Sequence, residues 1–328
     1  MKYPKFLEKG DLIGITAPSN GIRKEKEERF DAAIESLMDL GYKVTETKSV
    51  RNGGIVSTDE VSRALELDSL VSNEDVKMIL CAAGGDFLME MLPHINYDNI
   101  KKNPKWIQGY SDPTLLLYPI TVNYDIATIY GYNASAYAMK KKHESILNNL
   151  EILKGNLVKQ KSFKKYELKS KENKDGYNLT KKVKWKTLNG DFYVKGRIIG
   201  GCLDSLNNLV GTKYDGTKKF VKKYAEDGII WYFDIFSLTS EDVARTLWSL
   251  REAGWFENAK AFVFSRVKYP NTFLDMTYEE AIRRILKDAN IVIDTDFGHV
   301  MPKMTIINGA ICELEAKNKK GSISFELK

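Results

Sequence analysis

Short apolar strands alternate with amphipathic helices through the first half of the chain, and few folds accommodate that alternation. Residues 11–17 read as a strand, and residues 24–40 as a helix with Phe30, Ala33, Ile34 and Leu37 on one face. A strand at 43–45, a helix at 57–71 and a strand at 76–81 continue the pattern. Such βαβ units imply a parallel sheet covered on both faces, with functional groups at the carboxyl ends of its strands. The fold class expected is α/β, with an N-terminal doubly wound, mostly parallel sheet and a second, smaller α/β domain. A length of 328 residues allows two cores. The expected division is an N-terminal domain at 1–150, a polar linker or insertion at 151–190, and a C-terminal domain at 191–328.

The basic excess is modest, at +6, and much of it falls between Lys159 and Lys186. A nucleic-acid module would interleave such charge with exposed aromatics, and none is present. The stretch reads as a solvated connection, with Trp185 either docking it onto the fold or covering the substrate site as a lid. No apolar run is long enough to span a bilayer, and Met1 to Lys9 has lysines but no apolar core of a signal peptide. A cytoplasmic setting is expected. Cys81, Cys202 and Cys312 are odd in number and lack metal-ligand spacing, so reduced thiols are expected.

Gly109-Tyr110-Ser111-Asp112-Pro113 follows the short strand ending Trp106-Ile107-Gln108 and precedes the apolar helix of Leu115, Leu116 and Leu117. Asp112 suits an N-cap there and Pro113 the first helical position. Ser111 then sits on the elbow itself, either capping the helix or serving as a nucleophile. The Gly84-Gly85 turn ends the preceding strand on the same side of the sheet, and its glycines serve either a tight turn or a substrate.

Of three histidines, His299 alone stands at a glycine-flanked strand end, in Asp296-Phe297-Gly298-His299. His94 lies at a helix end, and His143 on what reads as a solvated, charged helix surface. Asp234 closes the apolar run Gly228 to Phe233, as a buried central strand would deliver it. Its rivals Glu241 and Asp242 suit the first turn of a helix capped by Ser240. Ser111, Asp234 and His299 could make a nucleophile, acid and base set distributed over two domains.

These motifs resemble the S66 serine peptidases, which comprise the LD-carboxypeptidases of murein recycling and the microcin C immunity proteins. The resemblance runs from Gly10-Asp11-Leu12-Ile13-Gly14-Ile15-Thr16-Ala17-Pro18-Ser19, through Gly84-Gly85 and Gly109 to Asp112. It continues over Gly196 to Leu203 and ends at Asp296 to His299. It implies Ser111 as nucleophile, His299 as base, and the acid of the central strand as its partner. Two positions depart from the family: Asp234 stands where Glu is usual, and Cys202 where Gly-Gly-Asn-Leu is common.

The resemblance implies a serine carboxypeptidase with no metal or organic cofactor, cleaving an L,D-amide near the C-terminus of a murein tetrapeptide. The oxyanion would be held by the Asp112 backbone N–H and one from Gly84-Gly85. An alternative is an immunity-type peptidase acting on a peptidyl- or aminoacyl-nucleotide, with Trp185 stacked on the base. A third is a catalytically weak binding protein, should Asp234 fall short of His299. No nucleic-acid polymer and no membrane partner are expected, and family likeness implies a homodimer.

Overall fold

The computed structural model describes residues 1–169 and 175–328, which fall into two compact units. The first comprises Met1–Asn156 with Thr305–Ile307, and the second Leu157–Met304 with Asn308–Lys328.

In the first unit the chain runs β1 (Leu12–Thr16), α1 (Glu27–Asp39), β2 (Lys43–Glu46), α2 (Glu60–Ser72) and β3 (Val76–Cys81). It continues through α3 (Tyr97–Lys102), β4 (Trp106–Gly109), α4 (Thr114–Tyr124), β5 (Thr128–Tyr130) and α5 (Glu144–Leu153). The strands order as β2-β1-β3-β4-β5, all parallel, with Ile306–Asn308 added beyond β5. In a sheet of this order the connections reverse between β1 and β3. The crevice outside their carboxyl ends is where ligands bind. Residues Ala17 to Ser19, Ala82 to Gly85 and the turn after β4 all lie at that end. Burial explains the helices: Phe30, Ala33 and Leu37 line the inner face of α1, and α4 is buried from Thr114 to Val122.

The second unit contains β6 (Gln160–Lys161), β7 (Lys165–Glu167), β8 (Leu179–Lys182), β9 (Lys186–Thr187) and β10 (Phe192–Cys202). Then come α6 (Leu203–Leu206), α7 (Thr217–Lys223), β11 (Ile229–Asp234), α8 (Ser240–Glu252), β12 (Ala259–Ser265) and α9 (Tyr278–Leu286). The chain continues with β13 (Ile291–Thr295), β14 (the Ile306–Asn308 strand of the first sheet), β15 (Ile311–Lys317) and β16 (Lys320–Glu326). The sheet order is β6-β16-β15-β10-β11-β12-β13-β9, with a parallel centre from β10 to β13 and antiparallel flanks. Eight strands against six make this unit no smaller than the first.

The described residues of the expected linker at 151–190 are instead folded. Its first residues complete α5, and from Leu157 onward it belongs to the second unit. There β6 and β9 form the two edges of the large sheet, and β7 and β8 pair as an antiparallel ribbon. Residues 170–174 of this stretch lie outside the described residues. Lysine-rich sequence is what exposed edges carry, since charge discourages pairing with another chain. Its two largest apolar side chains, Phe163 and Trp185, are buried.

Candidate active site

In the first unit, buried β4 delivers the chain to an elbow at Ser111. This residue has φ 71°, a left-handed conformation that a non-glycine side chain adopts only under constraint. The Ser111 N–H donates to the Tyr130 hydroxyl at 3.2 Å, and its carbonyl accepts from Thr114 N–H at 2.9 Å. Gly84 lies against it: a Cβ there would stand 3.0 Å from the Ser111 Cβ and 3.1 Å from its Oγ. Backbone thus lies beside the hydroxyl because position 84 has no side chain.

Asp112 does not cap its own helix, as its position suggested; Pro113 occupies that place. Its buried carboxylate instead accepts from Ser19 Oγ–H at 2.5 Å and from Leu88 N–H at 2.9 Å. Burial raises its pKa, with those two hydrogen bonds opposing. Arg63, also buried, donates to the Pro18 carbonyl at 3.0 Å and the Phe87 carbonyl at 3.1 Å. Together these two side chains pin the loops after β1 and β3 beside the elbow. Neither role had a sequence signal, because both depend on loops brought together from distant parts of the chain.

In the second unit, β10 and β11 run in parallel register with Cys202 opposite Asp234. Asp234 is fully buried. Its Oδ2 lies 2.8 Å from His299 Nδ1, and its Oδ1 accepts from Ser265 Oγ–H and His299 N–H, each at 3.2 Å. The shorter acid therefore reaches the imidazole directly. Gly298, at φ +101°, makes this possible, since a Cβ there would overlap the Asp234 carboxylate. The His299 ring packs on Phe236 with centroids 4.5 Å apart, and its side chain keeps 9% exposure. The Asp–His contact fixes the ring through Nδ1 and turns Nε2 away from the acid, the arrangement a general base requires.

Glu241 is not a rival for His299. Burial works to raise its pKa, but hydrogen bonds from Thr272 Oγ1 and the N–H groups of Phe273 and Leu274 outweigh it and hold the value at about 2. The helix it begins is capped by Thr239, not Ser240. His143 caps α5, accepting from Ser145 N–H at 3.2 Å, and burial lowers its pKa; it is not a solvated surface residue.

Trp185 is docked onto the second unit. It is 1% exposed, its Nε1–H donates to buried Asp296 at 2.8 Å, and its ring packs on Phe297. Gly321 exists because any Cβ there would overlap that ring. Of the two readings left open, docking is the one the structure displays, and no face of the indole is offered to a ligand. Lys303 was not anticipated. It is fully buried, and burial drives its pKa well below that of an ordinary lysine, with the Asp234 charge opposing.

The first unit thus holds an elbow serine set against glycine backbone, and the second a buried acid–histidine pair. Profiles of the LD-carboxypeptidase N-terminal and C-terminal domains match residues 13–131 and 195–314. The chain belongs to the LD-carboxypeptidase family, peptidase family S66. It is similar to the microcin C7 self-immunity protein MccF of Escherichia coli, at 30% identity over 63% of each chain. A Bacillus subtilis protein named as a murein peptide carboxypeptidase is 33% identical over 39% of this chain and 40% of its own. Among solved structures, an MccF-like protein of Bacillus anthracis superposes with TM-score 0.87 at 25% identity, over 100% of both chains.

Proposed function

We propose that the chain is a serine carboxypeptidase whose substrate is the L,D-amide near the C-terminus of a murein tetrapeptide. The observation that carries the reading is the His299–Asp234 contact at 2.8 Å on a carboxylate held by two further donors. A base fixed in this way suits the activation of a nucleophile, and Ser111 is the strained, partly exposed hydroxyl that the fold supplies. In this reading His299 Nε2 takes the Ser111 proton as Oγ attacks the scissile carbonyl. The backbone N–H groups of Asp112 and of the Gly84-Gly85 turn receive the oxyanion. His299 then protonates the leaving amine, and water, activated by the same imidazole, hydrolyses the acyl-enzyme.

Similarity to MccF favours a second substrate, a peptidyl- or aminoacyl-nucleotide. The burial of Trp185 weighs against it, since that ring was the specific reason to expect a nucleobase. Direct contact between Asp234 and His299 weighs against a binding protein with a disabled acid. Cys81, Cys202 and Cys312 are buried and in no disulfide, in keeping with a cytoplasmic setting. Among the described residues no helix is long and apolar enough to cross a membrane. The reading also includes a homodimer, which light scattering on the purified protein tests.

Incubation with a murein tetrapeptide and with an aminoacyl-nucleotide, read by mass spectrometry, tests the assignment. Release of terminal D-alanine from the peptide is the expected result, and cleavage of the nucleotide alone would replace it with the second reading. Ser111→Ala is expected to abolish turnover with folding intact; comparable turnover would remove Ser111 from the mechanism.

A further inference from the structure

At the carboxyl ends of β10 and β11 the Asp234–His299 pair has a third donor beside it, the Cys202 thiol, which hydrolysis does not use. Cys202, Asp234 and His299 each offer one ligand atom, and these atoms all lie within 4.8 Å of one another. A thiol, a carboxylate and an imidazole form a borderline-soft donor set, suited to Zn²⁺ or Cd²⁺ and not to Mg²⁺ or Ca²⁺. Around a tetrahedral zinc, with bonds of about 2.0–2.3 Å, ligand atoms stand roughly 3.3–3.7 Å apart. Side-chain rotation on the order of 1 Å closes the set to that geometry. The strand register holds Cys202 and Asp234 opposite each other, so two of the three ligands are already positioned by backbone. Cys202 stands where the family commonly has Asn, so the soft ligand is a feature of this chain.

We propose that Cys202, Asp234 and His299 bind a thiophilic divalent cation of the zinc type, and that the bound ion switches hydrolysis off. The second half rests on His299 being the catalytic base. On binding, the Cys202 thiol gives up its contact with Asp204 Oδ2, 3.8 Å away, and loses its proton to solvent. Thiolate, carboxylate and imidazole each donate a lone pair to the ion. No redox change occurs. The carboxylate is then no longer free to orient the imidazole, and His299 is held by the metal instead of by Asp234. Three protein ligands leave the fourth position to water.

The test uses the full-length protein, stripped of metal with a chelator and titrated with CdCl₂ in the absence of substrate. An ultraviolet thiolate-to-cadmium charge-transfer band saturating at one ion per chain is expected. ZnCl₂ should compete the band away, MgCl₂ should not, and Cys202→Ala should lack it. Zn²⁺ should raise the thermal midpoint of the parent and leave that of Cys202→Ala unmoved. Absence of the band in the parent, or its persistence in Cys202→Ala, overturns the site. Should Cys202→Ala fail to fold, His299→Gln retains the thiol and should bind Cd²⁺ at least tenfold more weakly; unchanged affinity overturns the site equally. Band and stoichiometry need no turnover, so they judge the ion site even if neither murein peptide nor nucleotide is cleaved. A parent that binds the ion and hydrolyses substrate at an unchanged rate overturns the switch.

Discussion

Gly298 illustrates how one missing side chain sets the chemistry of its neighbour. Alanine there would meet the Asp234 carboxylate while sitting at φ +101°, where L-residues are strained. Gly298→Ala is expected to lower kcat/KM by about a hundredfold or more and stability by about 1–3 kcal/mol, measured by steady-state kinetics and urea unfolding. The places of Ser111, Asp234 and His299 at element ends were legible because each ends a recognisable apolar run or sits beside a glycine. The hydrogen-bonding roles of Asp112 and Arg63 were not, since their partners lie far along the chain, at Ser19, Leu88, Pro18 and Phe87. Lys303 escaped notice for a related reason: a lysine in sequence looks solvated until tertiary structure buries it.

At the level of elements, the two acids flanking the β11–α8 connection separate by their partners: Asp234 meets His299, and Glu241 the loop from Thr272 to Leu274. Asp234→Asn is expected to cost several orders of magnitude in kcat, as loss of an orienting carboxylate does in related triads. Glu241→Gln is expected to spare the chemical step and alter the acid limb of stability. The folded pKa of Glu241, about 2, lies below its ordinary 4.5. Its contribution is therefore present above pH 4.5 and lost as pH falls towards 2. Urea unfolding across that range should show a flatter acid limb for Glu241→Gln, and an unchanged limb would show that its hydrogen bonds do not hold that loop. The polar 157–190 stretch misled for an equally physical reason. Edge strands two to four residues long carry too little apolar periodicity to be seen, and their lysines imitate a linker. Trp185→Phe removes a donor to buried Asp296, and should cost about 1–3 kcal/mol of stability with little effect on kcat. A large kcat loss without destabilisation would restore the ring to the substrate site.

For the whole molecule, the alternation of strands and helices announced the first sheet correctly from β1 to β3, including its parallel sense. The sequence did not reveal that this sheet takes its last strand from residues 306–308, nearly at the opposite end of the chain. Three residues carry no periodicity, and pairing across such a separation has no local signature. Asn149 likewise donates to Thr305 at 3.0 Å within the first unit. A fragment comprising residues 1–156 is therefore expected to be markedly less stable than the same unit in the full chain. Thermal unfolding followed by circular dichroism checks this; an equal midpoint for fragment and parent would show the added strand to be dispensable.

That borrowed strand also bears on the order in which the protein forms at the ribosome. At 5–20 residues per second, roughly 10–35 s separate the synthesis of Tyr130 from that of Asn308. Throughout that interval the outer edge of β5 has no strand to pair with, and Tyr130, whose hydroxyl receives the Ser111 N–H, belongs to that edge. The constrained conformation of Ser111 thus acquires its full support only when translation is nearly over. A nascent chain stalled midway would present an open strand edge and a half-made elbow, a form for chaperones to shield before it becomes an enzyme.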